Sequence, residues 1–343
     1  MQISKILIAL APLALLSACG GGSNGGQGTG TLNLEITDSP VDEAKEVVVV
    51  FTGVEVKPKD GDVITFDYCN PAEDVSLCKK IDLWPLRGGA TTDLLNDEKL
   101  SAGEYAWVRL KVYTDPTAID ASYIVIEDEE ANETGTYNLI IPSGAQTGLK
   151  LVSGFTIAQG DIKRLVIDFD LRKSVVAPPG FSQLAPKPYY LLKPALRMID
   201  QQDTATIAGE VDLDLLAVEQ GVNPCVGGVY LFDGADAIPD DQDGVAADGV
   251  DPVVYDSLEV DALVGGTVVS YTIPFVDAGD EGSAEYTVAF TCNFDVDVRS
   301  DVSEYDPAAA DGAPGIDTMQ WTTTNVTVTP GATELRDFPP PSP

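Results

Sequence analysis

Apolar and polar residues alternate with a period of two through much of the first half of the chain. Leu32, Leu34 and Ile36 are separated by polar residues, which predicts a half-buried β-strand. Residues 46–56 form a continuous β-branched run, which is typical of a core strand in a sandwich. The same two patterns predict a strand that begins at residue 64. They also predict strands over residues 105–113, 122–126, 137–141, 150–157 and 165–171.

Residues 92–100 (TDLLNDEKL) interrupt this strand pattern. They carry the one helix signal of the first half, and Ser101-Ala102-Gly103 would end that helix. The second half returns to strand patterns, over residues 206–211, 228–232, 268–275, 285–291, 325–329 and 335–338. Taken together, the patterns predict an all-β protein built from two β-sandwich domains.

The acidic residues are distributed unevenly along the chain. There are 55 acidic and 20 basic residues and no histidine, which gives a net charge of −35. Residues 203–343 contain 28 acidic and 2 basic residues, a net charge of −26, so the first 202 residues carry only −9. This step coincides with a polar joint at residues 200–204. It predicts a first domain over residues 31–202 and a second domain over residues 203–343.

The charge and the missing histidine exclude several classes of function. Nucleic acid and anionic lipid surfaces would repel so acidic a chain. Without histidine, Ser-His-Asp and Cys-His catalysis are impossible, and no Gly-rich phosphate loop precedes a helix. Paired carboxylates for glycoside hydrolysis stay open, but nothing selects one pair among 55 acidic residues. We therefore expect no enzyme activity, and the charge is explained by solubility in high salt.

The most acidic stretch covers residues 233–251 and is the candidate metal site. Carboxylates in a flexible loop with glycines suit calcium, yet the stretch departs from the helix-loop-helix calcium pattern at Pro239 and Val250. The sequence leaves open weak calcium binding or a solvated acidic loop, and it predicts no other cofactor. The candidate ligands are Asp233, Asp236, Asp240, Asp241, Asp243, Asp248 and Asp251.

Alternation also places polar side chains on the outer faces of two predicted strands. In the strand over residues 165–171, Asp168 and Asp170 would bind a cation or pair with Arg172 and Lys173, and we expect the pairing. The strand over residues 105–113 presents an aromatic and basic stripe that is either a binding face or a face covered by neighbouring loops. This stripe consists of Tyr105, Trp107, Arg109, Lys111 and Tyr113.

The five cysteines divide by position. Cys69 and Cys78 lie in the first domain, and Cys225 and Cys292 lie in the second. In an oxidising compartment each pair would form a disulfide within its domain. Zinc is not expected, because the chain has no histidine and no Cys-x-x-Cys. Cys19 remains for other chemistry.

The first residues predict export and a lipid anchor. Lys5 precedes an apolar run over residues 6–16 that is too short to span a bilayer, as in a secretory signal. The sequence LLSAC at residues 15–19 resembles the lipobox of bacterial lipoproteins, although an ordinary signal with a chance cysteine is the alternative. The resemblance implies a signal peptide over residues 1–18, diacylglycerol on Cys19 and a flexible Gly-rich tether over residues 19–30. Gly20, which stands where Asp retains lipoproteins at the inner membrane, favours the outer membrane.

Four blocks of the first half carry a further resemblance. Residues 32–56, 143–155, 167–174 and 190–199 are similar to the bacterial lipoprotein family called domain of unknown function 4382. The similarity covers about residues 31–200 and implies export, a lipid anchor and the family's fold, but no activity. In the second half, the strand-turn-strand over residues 268–291 and the closing strand resemble prealbumin-like carboxypeptidase regulatory domains, which are seven-stranded sandwiches.

These expectations combine into one description of function. We expect a lipid-anchored envelope protein that binds a polymer, a glycan or an envelope partner, or serves a structural role. The alternatives are an accessory lipoprotein of a transport or assembly system and a hydrolase with paired carboxylates. An exposed aromatic face around Trp107 or Trp84 would favour binding, whereas two facing carboxylates in a cleft would favour hydrolysis.

Overall fold

The structure is a computed structural model of the chain. It describes residues 28–39, 44–115, 121–128, 133–142, 148–178, 189–193, 195–222, 225–240, 250, 252–258, 268–279, 281–294 and 319–339. The predicted signal peptide, Cys19 and residues 20–27 of the tether lie outside this part. No helix within the described ranges has the length and apolar character needed to cross a membrane.

The first domain consists almost entirely of strands. One short helix, α1 (Leu171–Ser174), follows the eleventh strand. The strands are β1 (Thr29–Ser39), β2 (Ala44–Pro58), β3 (Ile64–Asp67), β4 (Lys79–Asp82), β5 (Thr92–Ser101), β6 (Gly103–Tyr113), β7 (Tyr123–Asp128), β8 (Glu133–Ile140), β9 (Leu149–Leu151), β10 (Phe155–Ile157), β11 (Ile162–Asp170), β12 (Val175–Val176), β13 (Tyr189–Leu192) and β14 (Ala195–Asp200).

Two sheets enclose the core of the first domain. The smaller sheet has the order β14-β11-β1-β5, and the larger ten-stranded sheet is centred on β2 and β6. Leu32, Leu34 and Ile36 on β1 are fully buried and belong to the same apolar cluster as Phe51 on β2. Burying each such side chain stabilises the fold by roughly 1.5–3 kcal/mol. The all-β sandwich architecture predicted from the alternation is therefore confirmed.

The helix predicted over residues 92–100 is wrong, because this segment is strand β5. It pairs antiparallel with β1 and buries Leu94, Leu95 and Leu100. Irregular register and a positive φ of 56° at Asp97 let two adjacent leucines face the core, which no regular alternation allows. The local sequence favours a helix, but β1 offers unpaired backbone groups along its length, and pairing with them prevails.

The predicted outward orientation of Tyr105 is also wrong. The register between β2 and β6 shifts at Lys57 and Pro58, which inserts a β-bulge at the start of β6. As a result Tyr105 is buried and Ala106 is exposed. The Tyr105 ring stacks on Phe155 with 4.9 Å between the centroids, and its hydroxyl donates a hydrogen bond to the Ser101 carbonyl at 2.8 Å. Beyond the bulge, β6 alternates as predicted.

The second domain contains seven strands among its described residues, as the resemblance to prealbumin-like domains implies. One sheet has the order β18-β15-β21 and the other β17-β16-β19-β20, and a separate apolar cluster lies between them. The strands are β15 (Thr204–Asp212), β16 (Gly228–Asp233), β17 (Val254–Ser257), β18 (Val268–Asp277), β19 (Ala284–Thr291), β20 (Thr322–Val328) and β21 (Thr333–Leu335).

A helix that the sequence analysis missed, α2 (Leu213–Gln220), follows β15. The Asp212 carboxylate caps its first turn by accepting from the Leu215 amide at 3.1 Å, and Gly221 ends it with a φ of 69°. An acidic cap and a closing glycine are the usual signals of a helix. The Gln220 side chain accepts from the Cys292 amide at 2.9 Å, so the helix is held against β19.

Both disulfides predicted from the sequence are present. Cys69 and Cys78 close a short loop between β3 and β4. Cys225 and Cys292 join the segment before β16 to the end of β19, across 67 positions of sequence. Cys292 is completely buried, so this bond forms part of the apolar core of the second domain.

Candidate functional site

The candidate site is the outer face of the ten-stranded sheet around β6. Inward-facing pairs such as Val56 and Val108 are fully buried, so their neighbours along β2 and β6 point outward. Register places Lys57 beside Trp107, and Lys150 of β9 beside Arg109. We call the outward set the cation–aromatic face. It consists of Lys57, Trp107, Arg109, Lys111 and Lys150.

Carboxylates flank this face but do not neutralise it. Arg109 Nη1 donates to Glu55 Oε2 at 2.8 Å, and Lys111 forms an ion pair with Asp67. The four cations of this face thus have two carboxylate partners, on a chain whose net charge is −35. Arg109 and Lys111 keep 30% and 34% of their side-chain surface exposed. These two side chains of the stripe are therefore covered only in part.

Trp107 anchors the cations of this face. The Arg109 guanidinium carbon and the Lys150 ammonium each lie 4.7 Å from the centre of its ring. Such cation–π contacts are worth roughly 0.5–1 kcal/mol each at exposed sites. Trp107 itself is half-buried. Its ring therefore orients two cations at the surface and is not a bare platform for stacking a sugar.

The other aromatic residues named from the sequence do not complete this face. Tyr105 is buried beneath it, and Tyr113 is half-buried at the far end of β6. Trp84 packs against the core of the first domain, with the Arg87 guanidinium 4.2 Å from its ring centre. At the start of β6, the ammonium of Lys59 donates a hydrogen bond to the Glu104 carboxylate. This contact raises the pKa of Lys59 and lowers the pKa of Glu104.

Asp168 and Asp170 do not form a free carboxylate pair. Asp168 is buried and accepts from Arg197 Nε at 2.6 Å, on the neighbouring strand β14. Asp170 accepts from the Tyr255 hydroxyl at 2.7 Å and lies 3.5 Å from the Lys173 ammonium. Both carboxylates are thus engaged by hydrogen bonds and by neighbouring positive charge.

These carboxylates lie where the two domains meet. A small cleft separates the outer face of β1, β11 and β14 from β17 and β18 of the second domain. The Lys173 ammonium of the first domain donates to the Pro252 carbonyl of the second at 3.1 Å. The cleft is lined by residues that include Thr37, Asp38, Asp168, Arg197, Tyr255 and Pro274.

The acidic stretch is described only in part. Asp233 and Asp236 are exposed and Asp240 is buried, whereas Asp241, Asp243, Asp248 and Asp251 lie outside the described residues. Asp236 is held by Asn325 of β20, whose amide nitrogen donates to its carboxylate at 2.7 Å. Within the ranges that the structure describes, no three His, Cys, Asp or Glu side chains are grouped so that they could hold a metal ion.

Comparison with solved structures finds distant likenesses over most of the chain. A candidate adhesin from Bacteroides ovatus is 11% identical, with a TM-score of 0.19, and the match covers 91% of this chain and 93% of that one. The fimbrial anchor protein Mfa2 from Porphyromonas gingivalis is 10% identical, with a TM-score of 0.16 and coverages of 76% and 78%. The major pilin from Streptococcus pyogenes is 11% identical, with a TM-score of 0.12 and coverages of 89% and 98%.

No curated protein matches the chain. A family model does match it, over residues 29–194, and its description is "Domain of unknown function (DUF4382)". These limits coincide with the start of β1 and the segment between β13 and β14. The match thus confirms the resemblance seen in the sequence: residues 29–194, a little under half of the chain, are similar to the DUF4382 family.

Proposed function

We infer that the protein is a lipid-anchored component of the cell envelope that acts as a non-catalytic binding module. The observation that carries this inference is the cation–aromatic face, which brings four cations and one tryptophan to the same side of a sheet on an otherwise strongly acidic chain, with two of the cations at the tryptophan ring. Single surface ion pairs contribute little to stability. A positive, partly exposed cluster on such a chain is therefore better explained by recognition of a partner than by folding.

The position of the face relative to the anchor supports this role. The Gly28 carbonyl accepts from the Ala102 amide at 2.6 Å, so the folded part begins beside the start of β6. Trp107 is four residues beyond Gly103, which is about 13 Å along a strand. The nine residues 19–27 of the predicted flexible tether would have a root-mean-square length of about 17 Å. An anchor on Cys19 would thus hold the face within a few nanometres of the membrane.

Replacing the anchoring cysteine tests the location. We expect Cys19→Ala to release the protein from membrane pellets and to abolish labelling with a fatty-acid analogue, because acyl chains provide about 0.8 kcal/mol for each buried methylene. Ser17→Ala leaves the cysteine in place and serves as the control, with both signals retained. Membrane retention and labelling of the Cys19→Ala variant would contradict the anchor.

Replacing cations tests the face. In the Cys19→Ala background, the full chain is mixed with envelopes from its source cells and sedimented. We expect Arg109→Gln with Lys150→Gln to weaken sedimentation about tenfold, which corresponds to about 1.4 kcal/mol. Lys45→Gln with Lys193→Gln removes the same charge from exposed positions elsewhere and should leave sedimentation unchanged. Equal behaviour of the two double variants would contradict a role for the face.

A further inference from the structure

We propose that the cation–aromatic face binds an acidic glycan by its carboxylates, in particular a polymer of uronic acid units. This inference rests on the proposed binding function and names its ligand class. The ion pair between Arg109 and Glu55 already shows the contact required, with a guanidinium nitrogen 2.8 Å from a carboxylate oxygen. Charge-assisted bonds of this kind are roughly twice as strong as neutral hydrogen bonds.

Arg109 retains capacity for a second carboxylate. A guanidinium has five N–H donors, and Glu55 engages Nη1. The Nε atom is buried, while 30% of the side chain remains exposed. Glu55, only 18% exposed, and Trp107 hold the group in place from two sides. The guanidinium of this partly exposed side chain is therefore already oriented before a ligand arrives, which reduces the entropy lost on binding.

The spacing of the cations suits a repeating ligand. Lys150 is the cross-strand neighbour of Arg109, and adjacent strands lie about 4.8 Å apart. Lys111 is two residues along β6, which is about 6.6 Å. A polymer with one carboxylate on each sugar can meet several of these cations at once, and linked contacts raise the overall affinity without strengthening any single one.

The size and charge of the face favour a narrow glycan over other anions. Stable protein partners engage roughly 20–30 residues a side, far more than this five-residue face presents. Nucleic acid and anionic membranes extend their charge well beyond the face, where the remainder of a chain of net charge −35 would repel them. A single glycan strand, by contrast, fits within the strip between β2 and β9.

The test uses polygalacturonate and its fully methyl-esterified form, which has the same backbone but no charge. The Cys19→Ala full chain is titrated with each polymer by calorimetry. We expect polygalacturonate to bind, the ester to bind at least tenfold more weakly, and added salt to weaken the interaction. Lys150→Gln, which keeps the Arg109–Glu55 pair, and Arg109→Gln with Lys150→Gln should weaken binding progressively, whereas Lys45→Gln with Lys193→Gln should not. Thermal melts establish that each variant is folded.

Three outcomes would overturn the proposal, and they differ in what they say about the binding function. Equal binding of polygalacturonate and its ester would leave a glycan-binding module that does not recognise carboxylates. Binding of phosphatidylglycerol vesicles as tightly as polygalacturonate, with the same loss in Lys150→Gln, would assign the face to lipid headgroups. No binding of either polymer, together with face-dependent envelope sedimentation, would assign it to another partner. If neither polymer binds and sedimentation with envelopes does not depend on the face either, the binding function itself is contradicted.

Discussion

Removal of the Cys225–Cys292 disulfide should lower the free energy of unfolding of the second domain by about 4 kcal/mol, because the bond closes a long loop and restricts the unfolded chain. The two cysteines are 67 positions apart, and the loop between them contains β16 to β19. Cys225→Ala with Cys292→Ala is the variant of choice, since a serine would place a hydroxyl at the fully buried position 292. Denaturant unfolding under non-reducing conditions measures the loss.

The other disulfide provides a matched control. Cys69 and Cys78 are separated by nine positions, so the same entropy argument gives less than about 3 kcal/mol. Moreover, Cys69→Ala with Cys78→Ala should affect the unfolding of the first domain and leave the second unchanged. A second domain that is equally stable with and without its own disulfide would contradict the argument from loop length.

Replacing Arg197 by methionine should destabilise the protein by about 3 kcal/mol, because it leaves the Asp168 carboxylate buried beside the domain cleft without its cation. Asp168 has only 8% of its side chain exposed, whereas Arg197 has 33%. Because the arginine is partly exposed, we expect a loss of stability at the lower end of the range found when one partner of a buried ion pair is removed. Equilibrium unfolding of the full chain measures it.

Whether the unpaired charge causes this loss is decided by a second variant. Asp168→Asn with Arg197→Met removes the carboxylate as well, so we expect the double variant to be more stable than Arg197→Met alone. Methionine retains much of the length of the arginine stem in both variants. If the single and double variants lose the same stability, packing of the arginine stem, and not the uncompensated carboxylate, is what stabilises this part of the fold.

The sequence pattern was most informative where one strand face is fully buried. Alternation at residues 32–36 predicted β1 because burial of one face imposes a period of two, and the continuous valine run predicted β2 because both of its faces are buried. Alternation failed at β5, where Asp97 and an irregular register break the period of two. It also failed at Tyr105, where a bulge reverses the inward and outward positions. Both irregularities depend on pairing with a distant strand. The helix α2 was missed although its caps at Asp212 and Gly221 are local signals.

The candidate site was predictable only along one strand. Trp107, Arg109 and Lys111 were recognised because they share the outer face of β6. Lys57 and Lys150, which complete the cation–aromatic face, belong to β2 and β9 and reach it through register. Register between strands distant in sequence is set by the packing of both sheets and by bulges, and no short-range pattern records it.

The chain enters and leaves the first domain at the same end. β1 runs parallel to β11 and starts beside Ile162, while β14 runs antiparallel to β11 and ends beside Leu165. Gln202 then donates to the Ile162 carbonyl at 3.4 Å at this end. Mechanical tension between a membrane-bound N-terminus and the second domain would therefore act on β1 and β14 at one end of the smaller sheet, where both flank β11. Such tension would not have to run across the length of the first domain.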